Sequence, residues 1–304
     1  YRPNTKKGDP RICPYGLKKL AQPNDVIGIF CHNRKIYLTN LSEDEHLPLD
    51  SNDSPLSAFL DTLKDNRNQV SEELLGMFKS LATGGPLKAL SYGDTSIGAT
   101  IENALGIQIN SDKNPDYKGI EIKTKRSSSA TRDNLFAQVP NWEMSFYKSS
   151  NDIVEAIGYD VPEENCRKLY CSISTIKPNS QGLLLDLDIN EELLHEIIVK
   201  NKMKAPVCIW ELSNLHKRLL QKHKETFWVK ADEIEIAGIK YFELKSIKHT
   251  RTPSLLQFDR MLGTGEITVD HLIKKMPSMK GKEKGPLFKI KPSSKVELFM
   301  GMPR

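Results

Sequence analysis

The sequence lacks any apolar run near the length of a membrane helix, and no signal-peptide pattern is visible. Its cysteines are few, and the odd number, five, excludes a fully paired disulfide scaffold and suits reduced thiols in a cytoplasmic protein. Cys166-x4-Cys171 and Cys13…Cys31-His32 are the only pairs with a metal flavour. Neither has the two close-set ligand pairs of a zinc site, so buried thiols are the simpler reading. No heptad seam or long amphipathic helix advertises a dimer. A strong charge of one sign is lacking as well. The net charge of +5 and pI near 8.8 permit nucleic acid as a partner without demanding it. Apolar residues at 38%, before the 18 glycines are added, exclude a disordered chain. Length allows one large or two modest domains.

What is present begins with a polar, proline-punctuated arm over residues 1–25. DVIGIF and KIYLTN, separated by CHNR, read as a β-hairpin. Residues 42–55 are acidic and linker-like. One helix follows, with Leu56, Phe59, Leu60 and Leu63 on a face, and then a second, VSEELLGMFKSLA, opened by a capping pattern at Ser71. TGGP then breaks the chain, which places a domain boundary there: residues 1–80 as an N-terminal extension, 81–304 as the main domain. Beyond it, KLYCSISTI, APVCIWEL, TFWVKADEIEI and GIKYFELKSI read as strands and SNLHKRLLQKH as a helix. NWEMSFYKSS and DIVEAIGY are mixed, and GLLLDLDINEELLHEIIVK is a strand running into more strand or a helix. His195, His216 and His223 have no partner at ligand spacing and read as surface or satisfied core histidines.

The most informative stretch is Ile97 to Arg126. In GIEIKTK the alternation puts Glu121 and Lys123 on one face of a strand and Ile120, Ile122 and Thr124 on the other. Asp116, in the turn-like NPDYKG run, can bring its carboxylate to the same place. Two carboxylates and a lysine on a strand edge suit a hard divalent cation, which takes oxygen ligands and retains water. Upstream, Gly98 to Gly106 is a short helix with Ile101 and Leu105 on its buried side, leaving Glu102 able to reach the site. Downstream, Lys125, Arg126 and Arg132 form a cationic exit. The bare spacing Asp-x4-Glu-x-Lys is weak, and Glu243/Lys245 in YFELKSI offers a second, decoy match whose plain reading is a solvated pair. Only the first match has the acidic helix and the basic exit.

G-x-x-x-E-x-x-x-G, then PD-x4-E-x-K, then a basic exit resembles the PD-(D/E)xK nucleases, and among them the MvaI/BcnI restriction endonucleases and the related repair nickase MutH. The likeness runs over roughly residues 80 to 304 and includes Trp210-Glu-Leu-Ser-Asn, the TFWVKADEIEI and GIKYFELKSI strands, GTGEITVDHLIKK and KGKEKGPLFKI. The resemblance implies an α/β (mixed α+β) fold: a restriction-endonuclease-like core with a mixed central sheet flanked by helices, plus the small N-terminal extension. It further implies a Mg²⁺-dependent type II endonuclease acting on double-stranded DNA in host defence, as a monomer, in the cytoplasm, with no membrane or small-molecule partner. Asp116, Glu121 and the Ile122 carbonyl would hold the metal, Lys123 would position the attacking water, and Glu102 would support the site. Lys125, Arg126, Arg132, Lys280, Lys282, Lys284 and Lys289 would contact DNA; between Lys274 and Lys295 eight lysines face one acid, Glu283. Where relatives carry His, Asp and Arg, this chain has Glu283, Lys284 and Lys289, so the family's target sequence does not transfer. A MutH-like nickase and a catalytically inert DNA-binding module are the alternatives.

Overall fold

A computed structural model describes residues 14–32, 35–40, 42, 55–107, 115–277 and 285–299. The chain forms two compact units, 1–69 and 70–304. In the first, a short helix α1 (Leu17–Leu20) precedes the expected hairpin of β1 (Ile27–His32) and β2 (Lys35–Asn40), paired antiparallel from Ile27↔Asn40 to His32↔Lys35.

The two helices read from the sequence are one, α2 (Pro55–Thr83). The segment between them, Lys64 to Gln69, holds no proline or glycine, so nothing stops the helix, and Ser71 is a buried interior residue rather than a cap. Gly84 and Gly85 end it, the latter at φ 91°. The second unit continues with β3 (Leu87–Lys88), α3 (Ser96–Ala104), β4 (Glu121–Arg126), β5 (Asp133–Ala137) and α4 (Ser150–Ile157). The last settles the DIVEAIGY segment as a helix, capped by the Ser149 hydroxyl accepting from the Asp152 N–H at 3.2 Å. Next come β6 (Tyr159–Val161), β7 (Cys166–Ile173), β8 (Leu183–Asp188), β9 (Leu193–Lys200), β10 (Met203–Glu211), α5 (Leu212–Lys222), β11 (Glu225–Ile236) and β12 (Ile239–Arg251). The unit closes with α6 (Leu255–Gly263), β13 (Ile267–Lys275), β14 (Leu287–Ile290) and α7 (Lys295–Leu298).

Three sheets result: β3-β12-β11-β4, β5-β14-β13-β7-β6 and β10-β9-β8. The first is mixed, because β4 runs parallel to β11 while β12 runs antiparallel to it. Period-two alternation divides its faces. Ile120 and Ile122, with Phe227, Val229 and Ala231 of β11 and Phe242 of β12, pack beneath Leu74 and Phe78 of α2 and Ile97 and Ile101 of α3. The residues between them point the other way: Glu121, Lys123 and Lys125 from β4, Thr226, Trp228 and Lys230 from β11. A second core joins the other two sheets with α5 and α6, through Leu135, Trp210, Leu219, Phe258 and Phe288.

His223, just past α5, is fully buried and stacked on the Trp228 ring at 5.5 Å. Its Nε2–H donates to the Leu135 carbonyl at 2.8 Å, so Nδ1 accepts from the Thr226 hydroxyl at 2.9 Å, and the neutral ring is satisfied at both nitrogens. Burial pushes its pKa down to about 3. The unfolded chain binds that proton near 6.5, so stability is lost as pH falls from about 6.5 toward 3, at up to about 1.4 kcal/mol per pH unit. Urea unfolding across this range should show the slope reduced by close to one proton in His223→Gln; an unchanged slope would exclude the buried neutral ring.

Candidate active site

A tight turn joins Asp116 to Glu121, the first residue of β4. Lys118 and Gly119 both have positive φ, 44° and 90°, and the Tyr117 and Ile120 backbones exchange hydrogen bonds of 2.9 and 2.7 Å across them. This is a two-residue turn of type I′ character. It folds Asp116 back along β4, where its Oδ2 accepts from the Ile122 N–H at 2.8 Å. The x4 spacing between Asp116 and Glu121 is therefore the length of a reversal. Gly106, at φ 71°, ends α3, and the close approach of α3 to β4 depends on Gly98: a Cβ there would lie 3.2 Å from the Thr124 hydroxyl and 3.8 Å from Glu102 Oε1.

Glu121 is 1% exposed, although it points away from the isoleucine core. Two ammonium groups make that burial tolerable. Lys123 Nζ lies 2.5 Å from Oε1 and Lys222 Nζ 3.0 Å from Oε2. Burial alone would raise the Glu121 pKa, but the two lysines outweigh it and hold the carboxyl below its ordinary value. Asp116 and Glu102 are pushed the other way, first by burial and then by the neighbouring carboxylates: Glu121 acts on Asp116, and Asp116 and Glu121 act on Glu102. Three acids thus share one electrostatic environment in which only one has cationic partners within bonding distance.

Lys222 was not foreseen from the sequence. It comes from α5, whose buried residues are Leu212, Leu215 and Leu219. Spacings of three and four continue that stripe to position 222, so the next residue on the buried side is a lysine, aimed inward. That polar break in an apolar stripe was the available signal.

Among the described residues no three His, Cys, Asp or Glu side chains converge closely enough to hold a metal ion. The donor chemistry nonetheless suits one. Asp116 and Glu102 are hard oxygen donors whose pKa values are raised by burial and by neighbouring carboxylates, and that repulsion is of the kind a divalent cation would relieve.

Lys123 also lines a cleft of about 510 Å³ with Lys125, Arg132 and Lys289, between β4–β11–β12 on one side and β5, β14 and α7 on the other. Lys125 donates to Asp133 Oδ1 at 2.9 Å, and Lys295 reaches Oδ2 at 2.7 Å while lying 4.2 Å above the Trp228 ring. Arg132 donates to the Gly265 carbonyl at 3.1 Å and to the Glu266 carbonyl, and Lys289 pairs with Asp270 at 2.6 Å. Arg126 lies elsewhere: it pairs with Glu233 at 2.5 Å, packs over Phe242 and is not among the cleft residues. Lys280, Lys282 and Lys284 lie outside the described residues. The decoy is a half-exposed ion pair, Lys245 to Glu243 at 2.7 Å, as its plain reading required.

A mixed sheet bearing a buried Glu–Lys pair beside a basic cleft is the architecture of a restriction-type endonuclease. The profile of the MvaI/BcnI restriction endonuclease family matches residues 75–299, and the chain belongs to that family, making it a type II site-specific deoxyribonuclease. Among solved structures, a restriction endonuclease MvaI–cognate DNA substrate complex superposes with a TM-score of 0.67 at 21% identity, covering 75% of this chain and 95% of that one. A structure of MvaI in the absence of DNA gives 0.47 at 20% identity, over 77% and 95%. The likeness to the DNA complex is one of fold. No curated protein sequence matches the chain.

Replacing Lys222 by Ala leaves a buried carboxylate with one cation instead of two. Loss of a hydrogen bond to a charged group predicts a destabilisation of about 1.5–3 kcal/mol in urea unfolding, with Lys222→Arg closer to wild type. Wild-type stability in Lys222→Ala would show that the pair contributes nothing.

Proposed function

We propose that the protein uses Mg²⁺ to cut both strands of double-stranded DNA at a specific sequence, in defence against foreign DNA within the cytoplasm. We assign the nuclease to residues 81–304, with 1–80 as an extension. The observation that supports the reading best is the Glu121 carboxylate held between Lys123 and Lys222, with Asp116 folded back beside it. No helix of the described residues is long and apolar enough to cross a membrane.

In the proposed mechanism, Asp116, Glu121 and the Ile122 carbonyl would hold the cation, with Glu102 supporting from α3. When bound, the cation supplies Lewis acidity to the phosphoryl group. Lys123 is the residue that belongs both to the buried carboxylate pair and to the cleft wall, so its ammonium positions the attacking water against the phosphate. The water oxygen bonds to phosphorus, the bond to the leaving sugar oxygen breaks, and the products are a phosphate end and a hydroxyl end. Lys222 keeps Glu121 ionised when Lys123 turns toward the substrate. Charge at the phosphate is met by preorganised cations in a partly dry site, where it weighs more than in water.

Asp116→Ala and Glu121→Ala should abolish cleavage while leaving DNA binding largely intact, because losing a carboxylate removes an oxygen donor but also a repulsion with phosphate. Lys123→Ala should behave alike, and Glu102→Gln should be impaired but active. Full cleavage by Asp116→Ala would sink the assignment.

One catalytic centre per chain facing two antiparallel strands leads us to infer a monomer that nicks, releases and rebinds. On supercoiled plasmid the lone protein should build up open-circular DNA before linear product, at a rate linear in enzyme. Direct linearisation with a dimer mass in light scattering would refute the monomer, and nicking that needs an activating partner would favour the MutH-like alternative.

A further inference from the structure

Seven basic side chains and two acidic ones, Asp94 and Asp133, line the cleft. Five of the seven are already spoken for within the protein. Lys123 is held by Glu121, Lys125 and Lys295 by Asp133, Lys289 by Asp270, and Arg132 by two backbone carbonyls. A cation held by a carboxylate presents little net charge to a ligand, and moving it to a phosphate costs the pair it leaves. Lys230 and Lys248 differ. Both are exposed, both line the cleft, and neither has an ion pair or hydrogen bond among the described residues.

Their positions follow from sheet register. Lys123 pairs across with Trp228, and Trp228 with Lys248, so Lys123 and Lys248 occupy one row of the same face. The next row runs Lys125, Lys230, Ser246. At about 4.8 Å between strands, Lys248 lies about 10 Å from Lys123 and Lys230 about 5 Å from Lys125. Duplex DNA advances about 3.4 Å per nucleotide along a strand, so the Lys123–Lys248 row spans about three nucleotides. Trp228 fills the middle of the row and keeps it stiff: it is buried, its Nε1–H donates to the Thr250 hydroxyl at 2.9 Å, and its ring is covered by His223.

We propose that Lys230 and Lys248 are phosphate-holding positions of the catalytic sheet, gripping the DNA backbone within about three nucleotides of the bond presented to Lys123. They would set the register of the duplex in the cleft, independently of base contacts made elsewhere. The proposal rests on the nuclease reading for its substrate, and neither lysine was a candidate on sequence grounds: Lys230 is the single basic residue of β11, and Lys248 is one of several along β12.

The test is the salt dependence of DNA binding, measured by fluorescence anisotropy on the full chain in the cleavage-deficient Asp116→Ala background. The probes are a synthetic duplex containing a site that the wild-type protein cuts and one without it. Lys230→Gln and Lys248→Gln should each lower the slope of log K against log salt by about 0.9, and the double variant by about twice that, on both duplexes alike. Lys245→Gln, on β12 but outside the cleft and paired with Glu243, should match the parent. Slopes equal to the parent's for both cleft variants, with a wild type that cuts plasmid, would overturn the inference and leave the nuclease reading standing. A wild type that binds duplex but never cuts would defeat the nuclease reading, and an arbitrary duplex would then still decide the lysines. A loss confined to the site-containing duplex would also overturn the proposal, since it would make them base readers.

Discussion

A carboxylate with 1% of its surface exposed is an expensive thing to place on a sheet, and the centre of this protein is arranged to keep one there. Ammonium groups reach Glu121 from two directions, Lys123 from its own strand and Lys222 from α5, and outweigh the burial that disfavours its charge. The second lysine ties the site to the larger core. Leu212, Leu215 and Leu219 fix the face that α5 buries, and that packing fixes where Lys222 points. A loss of packing under α5 would therefore reach the mixed sheet as a change in charge.

The acids around Glu121 are driven apart in their protonation. Cationic partners keep Glu121 ionised, while burial and mutual repulsion make Asp116 and Glu102 easier to protonate. Short-range geometry sets these positions. The Lys118-Gly119 reversal presses Asp116 onto the Ile122 amide, and Gly98 leaves α3 without a side chain where it faces the Thr124 hydroxyl of β4. Such a set stores electrostatic repulsion that a divalent cation relieves, consistent with the chemistry of a family whose members cut DNA.

Across the cleft, Asp133 does for the walls what Glu121 does for the centre. It begins β5 yet binds Lys125 of β4 and Lys295 of α7, joining the mixed four-stranded sheet to the five-stranded one. Arg132 beside it fastens the same corner to the start of β13 through backbone carbonyls. Lys125, Arg132 and Lys289, expected from the sequence to contact DNA, each have an intramolecular partner in the structure.

The sequence by itself determined the local features. Alternation in GIEIKTK placed Glu121 and Lys123 on one face, Gly98 and Gly106 framed α3, and NPDYKG announced the turn that returns Asp116, because each depends on backbone periods and φ preferences within a few residues. It also discounted Glu243/Lys245 correctly, since that pair lacked an acidic helix and a basic exit. The capping pattern at Ser71 does not interrupt α2, because residues 64–69 hold no proline or glycine to break it. What tertiary structure alone decided is which charges meet: Lys222 with Glu121 across 101 residues, Arg126 with Glu233 across 107, Lys295 with Asp133, and Lys230 and Lys248 with no partner among the described residues. Ion pairing falls off over a few ångströms and carries no sequence period, so only the register of β4, β11 and β12 and the packing of α5 could separate the paired lysines from those without a partner among the described residues.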